Sequence, residues 1–206
     1  HAIRLMERLP SLGKVVVIGG GFIGLEVASL LRAQNVEVDV IEAAGRLMGR
    51  VVSHATSDYF RAFHLQHGVR LHFGVTVESV EYDSEGCTVL LSDGRPLRAD
   101  AVLLAAGVVP NVELAAEAGL HVENGIVVDE RLLTEDAAIS ALGDCASYPS
   151  VQAGCMVRLE SVQNAVDHAR TIAERLTGDA KRYDSLPWFW SYQGDARLQI
   201  AGLAAP

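Results

Sequence analysis

Lys14-Val15-Val16-Val17-Ile18-Gly19-Gly20-Gly21-Phe22-Ile23-Gly24-Leu25-Glu26 is the stretch that decides the fold. Val15 to Ile18 are β-branched residues in a row, which suit an extended strand. They run straight into Gly19, Gly21 and Gly24, spaced G-x-G-x-x-G, and an apolar helical segment follows at once. Strand, tight turn and helix in that order is what a dinucleotide pyrophosphate requires. Gly19 is expected to make the turn, Gly21 to let phosphate approach bare backbone, and Gly24 to let the helix lie close to the strand. The first helical turn, at Phe22 and Ile23, then presents its N–H groups to the diphosphate. A second strand, Val36 to Ile41, ends in Glu42, eighteen residues past Gly24. A carboxylate there accepts both ribose hydroxyls of an adenosine and repels a 2′-phosphate, so the spacing favours NAD over NADP. The competing reading, a glycine-rich turn with a surface glutamate, lacks a reason for the strand before and the helix after.

The 206 residues suffice for one large or two small domains with cores. Half are hydrophobic and 21% are charged, as in a folded rather than a disordered chain. A net charge of −9 argues against nonspecific binding to nucleic acid or to an anionic membrane. The longest apolar stretch, Val15 to Leu31, is interrupted by the glycine turn and Glu26, so no membrane span is expected. Cys87, Cys145 and Cys155 share no C-x-x-C spacing, which suits free thiols in a reducing cytoplasm. The chain starts at His1 and stops on Leu203-Ala204-Ala205-Pro206 after a strand-like run; both ends read as cut, and a fragment of a longer protein is expected.

The rest of the chain alternates between helical and extended patterns. Ile3 to Leu9 is a short amphipathic piece stopped by Pro10. Helices are expected at Phe22 to Arg32 and at Ser53 to Gln66, where Ala55, Tyr59, Phe60 and Phe63 fall at helical spacing and Gly68 can cap the end. Arg70 to Phe73, Val75 to Tyr82 and Cys87 to Leu91 read as an inserted β-meander. Ala101 to Ala105, a continuous apolar run, fits a buried parallel strand. Beyond Gly107 a short helix (Val112 to Ala118), a β-like piece around Gly125 to Val128 and an apolar strand (Ala138 to Leu142) are expected. In the long helix Ser161 to Leu176, Val162, Ala165, Val166, Ala169, Ile172, Ala173 and Leu176 form the apolar face. A polar linker, Asp179 to Asp184, precedes Pro187-Trp188-Phe189-Trp190. His64 and His67 share a helix face without a third ligand nearby, so they read as a surface pair and no metal site is expected.

Two further motifs carry chemistry. Thr134 to Leu142 leads into Gly143-Asp144, and a carboxylate held at a strand end is a rigid acceptor for hydroxyl donors. Gly107-Val108-Val109-Pro110 after an apolar strand is, by itself, an ordinary Gly-Pro turn. Taken in order, the blocks Gly19 to Glu26, Arg46-Leu47-Met48, Gly143-Asp144-Cys145-Ala146, Glu160 to Ala165 and Pro187 to Ser191 resemble the FAD-dependent pyridine nucleotide-disulfide oxidoreductases. Within that superfamily they are most similar to the NADH-dependent ferredoxin and rubredoxin reductases that serve bacterial oxygenases.

The resemblance implies an α/β fold: a Rossmann-type NAD-binding domain with a β-meander insertion, part of a second Rossmann-like FAD-binding domain, and the start of an α+β C-terminal domain. It divides the chain into 1–12 (end of an N-terminal FAD-binding segment), 13–111 (NAD-binding), 112–182 (second FAD-binding segment) and 183–206 (C-terminal domain). It implies FAD and NAD as cofactors and a [2Fe–2S] ferredoxin or a rubredoxin as partner; a second copy of the chain is the other candidate partner. Asp144 would hold the ribityl chain of FAD, and Val162 would place its N–H by the flavin pyrimidine edge at the positive end of a helix. Gly107 would close the NAD-binding unit. Trp190, or else Trp188, would lie near the flavin where the redoxin docks. Glu26, an acid on an otherwise apolar helix, would be partly buried near nicotinamide and flavin. Arg46 would reach the adenosine ribose or phosphate. The family usually has proline where Gly45 stands and aspartate where Tyr192 stands, and its first FAD fingerprint and flavin-side lysine would lie upstream of His1. Two other readings stay open: an NADH oxidase, peroxidase or CoA-disulfide reductase, which needs an upstream redox cysteine, and an NAD-sensing protein similar to apoptosis-inducing factor.

Overall fold

The structure is a computed structural model and describes residues 2–203; His1 and 204–206, the two ends that read as cut, lie outside the described residues. The chain forms two compact units, residues 1–107 with 191–197 and residues 108–190 with 198 onward.

In the first unit, α1 (Ala2–Arg8) leads through a 3-10 turn (Leu9–Ser11) to β1 (Lys14–Ile18), α2 (Phe22–Ala33), β2 (Glu37–Glu42), α3 (His54–Gln66) and β3 (Arg70–Phe73). Then come β4 (Val77–Asp83), β5 (Gly86–Leu91), β6 (Pro96–Ala99) and β7 (Ala101–Leu104). The four-stranded sheet has the order β3-β2-β1-β7, with every neighbour parallel. Val15, Val16 and Val17 are buried on both sides of the sheet, which is why β1 is an unbroken β-branched run rather than an alternating one. Leu25, Ala28 and Leu31 are the buried stripe of α2, which packs on β2 and β1. A core of Val16, Ile41, Val75, Cys87, Val89, Leu91 and Ala99 joins the sheet to the meander β4-β5-β6. Along β5, Cys87, Val89 and Leu91 are buried while Thr88 and Leu90 are only half-buried, the period of two expected of a strand with one packed face.

Two expectations change here. Arg70–Phe73 is not a meander strand; it extends the parallel sheet beside β2. The third meander strand is Pro96–Ala99, which pairs antiparallel with β5. Its proline and arginine conceal the strand pattern, and only Leu97 and Ala99 face inward. The Ala101–Leu104 strand is parallel as expected, but it is the sheet edge and Leu104 is exposed.

Asp39 is the one fully buried acid in this unit's described residues. It is met by Lys14 at 3.0 Å, Arg70 at 3.0 Å and His72 at 2.7 Å. Burial alone would raise its pKa, but hydrogen bonds from Arg70, His72 and Lys14 outweigh it and hold the carboxyl at about 2 against an ordinary 3.8. A lowered folded pKa contributes stability above the ordinary value and loses it as pH falls from about 4 towards 2. Asp39→Asn is therefore expected to reduce unfolding stability by about 2 kcal/mol at pH 7. Urea titrations of both proteins should show that gap closing below pH 4.

The second unit holds α4 (Glu113–Glu117), β8 (Ile126–Val127), β9 (Ala146–Ser150), β10 (Cys155–Val157) and α5 (Val162–Leu176). β9 pairs parallel with β8 and antiparallel with β10. Its core is Val128, Leu132, Ala141, Ala146, Tyr148 and Tyr183. The hairpin β11 (Trp188–Gln193) and β12 (Ala196–Ala201) ends the described chain; its turn, from Ser191 to Arg197, belongs to the first unit.

Ala138 to Leu142 is not a strand; one bridge, Leu133 to Ser140, is all the pairing it makes among the described residues. The Asp136 carboxylate accepts the N–H of Ala138, and Thr134 Oγ1 donates to the carbonyls of Asp136 and Ile139. These local side-chain bonds replace a ladder.

The buried face of α5 is also rotated from the expected one, of which only Ala165 and Ile172 are half-buried. Asn164 and His168 are buried, whereas Val162, Val166, Ala169, Ala173 and Leu176 are exposed. Ile172 alone of the larger apolar residues packs on the core. Asn164 Oδ1 accepts the hydroxyls of Tyr148 at 2.9 Å and Tyr183 at 3.2 Å, so the polar side is buried because its polar groups are satisfied there. Burial, with the neighbouring Asp167 charge and despite lowering hydrogen bonds to Tyr148 and Ser185, pushes the Tyr183 phenol up to about 12.

Candidate functional site

The glycine turn sits at the C-terminal edge of the parallel sheet, between the ends of β1, β2 and β7. Gly19 and Gly24 have the turn and packing geometry that the sequence predicts. Gly19 has φ +110°, and a Cβ there would lie 2.3 Å from the Ala105 carbonyl oxygen. A Cβ on Gly24 would lie 2.1 Å from the Gly19 oxygen, so helix and strand touch backbone to backbone. At Gly21 a Cβ would meet nothing among the described residues within 4 Å; this is the open side of the turn. Gly21 is the N-cap of α2, no side chain caps that end, and Phe22 and Ile23 form its first turn.

Glu42 ends β2. Its Oε2 accepts the N–H of Gly20 at 2.8 Å and its Oε1 the N–H of Ala44 at 2.7 Å. The carboxylate is thus fixed against the turn, and each oxygen keeps a lone pair for a further donor. Gly107, with φ +98°, follows the end of β7, and the nearest atom to its Cβ position is Arg50 Nη2 at 3.6 Å. Arg50 was not singled out by sequence, since a lone exposed arginine carries no pattern. Arg46 folds back on its own loop: its guanidinium donates to the carbonyls of Gly49 and of Val52, the latter at 2.7 Å. It braces residues 46–52 rather than reaching outward.

Glu26 is half-buried on α2, as expected, and its partners come from the far end of the chain. Glu26 Oε1 accepts the Ser191 hydroxyl at 2.7 Å and the Tyr192 N–H at 3.2 Å. Ser191 accepts from Gln193 Nε2 at 3.1 Å, and Gln193 Oε1 lies 2.8 Å from His64 Nε2. Ser191, Gln193 and His64 are all fully buried. His64 is therefore not half of a surface pair; only His67 is exposed, with Nδ1 at 2.7 Å from the Phe63 carbonyl. Burial pushes the His64 pKa down, so the neutral ring donates from Nε2 to Gln193. Periodicity alone could not reveal this, because the partner lies 129 residues away.

In the second unit, Asp144 sits in a 3-10 turn, Gly143–Cys145. Gly143 has φ +69°, and the Asp144 carbonyl accepts from Arg158 Nη1 at 2.8 Å. The Asp144 carboxylate is exposed and makes no hydrogen bond among the described residues, so it is not a capping group. The same turn packs on α5 beside Ala165. Ser161 caps α5 by accepting the Asn164 N–H at 3.1 Å, and Val162, its first residue, is exposed. Trp188 and Trp190 lie on one face of β11 with ring centroids 5.0 Å apart, and Trp188 is open to solvent. Tyr192 is exposed with the Arg197 guanidinium 5.4 Å above its ring.

A parallel sheet bearing this turn at its carboxyl edge defines a dinucleotide-binding α/β protein. The chain belongs to the pyridine nucleotide-disulphide oxidoreductase family, which it matches over residues 2–169. It is 50% identical to the rhodocoxin reductase of Rhodococcus erythropolis over 206 residues, all of this chain and 48% of that protein. It is 41% identical to the putidaredoxin reductase CamA of Pseudomonas putida over 194 residues, 93% of this chain and 46% of that protein. The crystal structure of the ferredoxin reductase for the CYP199A2 system of Rhodopseudomonas palustris superimposes with a TM-score of 0.95 at 53% identity, covering 98% of this chain and 50% of that one. The chain spans about half the length of the curated relatives it matches. No helix of the described residues is long and apolar enough to cross a membrane.

Proposed function

We propose that this chain supplies the NAD-binding unit and part of the FAD-binding unit of a flavoprotein that passes electrons from NADH through FAD to a ferredoxin- or rubredoxin-type iron–sulfur protein. The observation that carries the reading is the asymmetry of the turn: Gly19 and Gly24 are closed to any side chain while Gly21 is open. The open side is where the pyrophosphate would rest, against the start of α2. Glu42, already fixed by two backbone N–H groups, would accept the adenosine ribose hydroxyls with its remaining lone pairs. Asp144, exposed and unbonded, would accept the ribityl hydroxyls of FAD, and Val162 would offer its N–H at the positive end of α5. Bound FAD supplies the conversion of a hydride into single electrons. Glu26 would serve near the nicotinamide from its station against Ser191, and Trp190 near the redoxin. On this reading residues 13–111 serve NAD, 112–182 serve FAD, and the chain from 183 begins the domain on which the redoxin docks.

NADH-driven cytochrome c reduction by the intact flavoprotein should rise several-fold when a ferredoxin or rubredoxin is added; an unchanged rate would sink the proposal. Glu42→Ala is expected to lower kcat/KM for NADH about 10- to 100-fold, the worth of hydrogen bonds to a charged group, with little change for NADPH. Equal use of both nucleotides by the unaltered protein would remove Glu42 from its role.

A further inference from the structure

We infer that His168 is a positioning residue for the Asp144 carboxylate, acting through the backbone of Gly143. The inference rests on the reading above, in which Asp144 receives the ribityl hydroxyls. His168 lies fully buried on α5, and its Nδ1 accepts the N–H of Gly143 at 3.1 Å. A backbone N–H only donates, so Nδ1 carries a lone pair and the ring proton resides on Nε2. Among the described residues Nε2 has no hydrogen-bond partner. The rings of Tyr148 and Tyr183 stand edge-to-face against the imidazole at 4.7 and 4.4 Å instead. A buried donor without an acceptor is costly, and a leucine of similar volume would avoid that cost. What the imidazole contributes that leucine would not is the bond at Nδ1.

That bond acts where Asp144 is aimed. Gly143 is held in the left-handed region at φ +69°, with its Cβ position 3.3 Å from Ala165 Cβ. His168 fixes the Leu142–Gly143 peptide, and Arg158 fixes the carbonyl of Asp144. The side chain between these anchors makes no hydrogen bond among the described residues, so the backbone alone sets where its Cβ stands. Burial keeps the His168 pKa down at about 4 despite the Asp167 carboxylate on its own helix, so the Nδ1 lone pair persists through neutral pH. The other titratable groups against the ring are the phenols of Tyr148, from β9, and Tyr183, from the segment after α5.

The test is FAD titration of the intact apo-flavoprotein, with thermal unfolding measured alongside. His168→Leu is expected to weaken FAD binding about tenfold, the upper worth of one lost neutral hydrogen bond. His168→Asn, whose carbonyl oxygen can stand near the Nδ1 position, should restore binding to within about threefold. Combined with Asp144→Ala, His168→Leu should weaken FAD no further than Asp144→Ala alone, because both act on one contact. If His168→Leu lowers only the melting temperature, or its effect adds to that of Asp144→Ala, the inference is overturned while the assignment of Asp144 stands. If Asp144→Ala binds FAD normally, both fall together. Should His168→Leu not fold, nitrogen NMR of the unaltered protein decides: an unprotonated Nδ1 at pH 7 supports the role, and a protonated one ends it.

Discussion

Gly24→Ala is expected to destabilise the protein by about 3 kcal/mol or more, or to leave the first unit unfolded altogether. The new methyl would sit 2.1 Å from the Gly19 carbonyl oxygen and 3.2 Å from Val17 Cγ1. Ordinary contact needs more than an ångström of retreat, and the nearest obstacle is main chain that cannot rotate aside. α2 would have to lift from β1, and the buried stripe Leu25, Ala28 and Leu31 would lift with it. Each such side chain contributes about 1.5–3 kcal/mol by burial, so even partial loss is large. Circular dichroism melts and expression in soluble form would register the change. A variant that melts with the unaltered protein would show that the helix does not lie against the strand as described.

Gly21→Ala, three residues away, should do the opposite. Its φ is −84°, a conformation any residue adopts, and the methyl would point into open space. Stability should stay within about 0.5 kcal/mol of the unaltered protein. NADH affinity should nevertheless fall at least about tenfold, because the methyl occupies the side on which phosphate would approach the backbone. Fluorescence titration with NADH beside a thermal melt separates the two effects. A variant that binds NADH normally would place the nucleotide somewhere other than over this turn.

The parallel sheet and the glycine turn were legible because a local pattern encodes them: β1 is buried on both sides and so carries an uninterrupted valine run, and the turn glycines answer to backbone geometry. β6 was hidden because a short strand beginning at proline and carrying arginine shows almost no alternation. Ala138 to Leu142 misled in the other direction, since its apolar residues suit a strand but Thr134 and Asp136 bond the local backbone. The buried face of α5 lies off the expected one for a related reason. Hydrophobicity cannot report that Asn164 and His168 find tyrosine hydroxyls and a glycine N–H inside the second unit. Of the candidate site, the tight turn at Gly19, the close approach at Gly24, the open side at Gly21 and the placement of Glu42 at the end of β2 could be read from spacing. The partners of Glu26 and His64 could not, because they lie 165 and 129 residues along the chain.

That separation bears on how the protein is made. A ribosome emits the strands, helices and meander of the first unit long before it reaches Ser191 and Gln193, and at roughly 5–20 residues per second the delay is many seconds. Throughout it, Glu26 and His64 wait without the groups that satisfy them, on a nascent domain whose other contacts are in place. Maturation of the first unit is in this way tied to delivery of the tryptophan hairpin, and arrested nascent chains ending before residue 190 should be digested by protease faster than those that extend past Arg197.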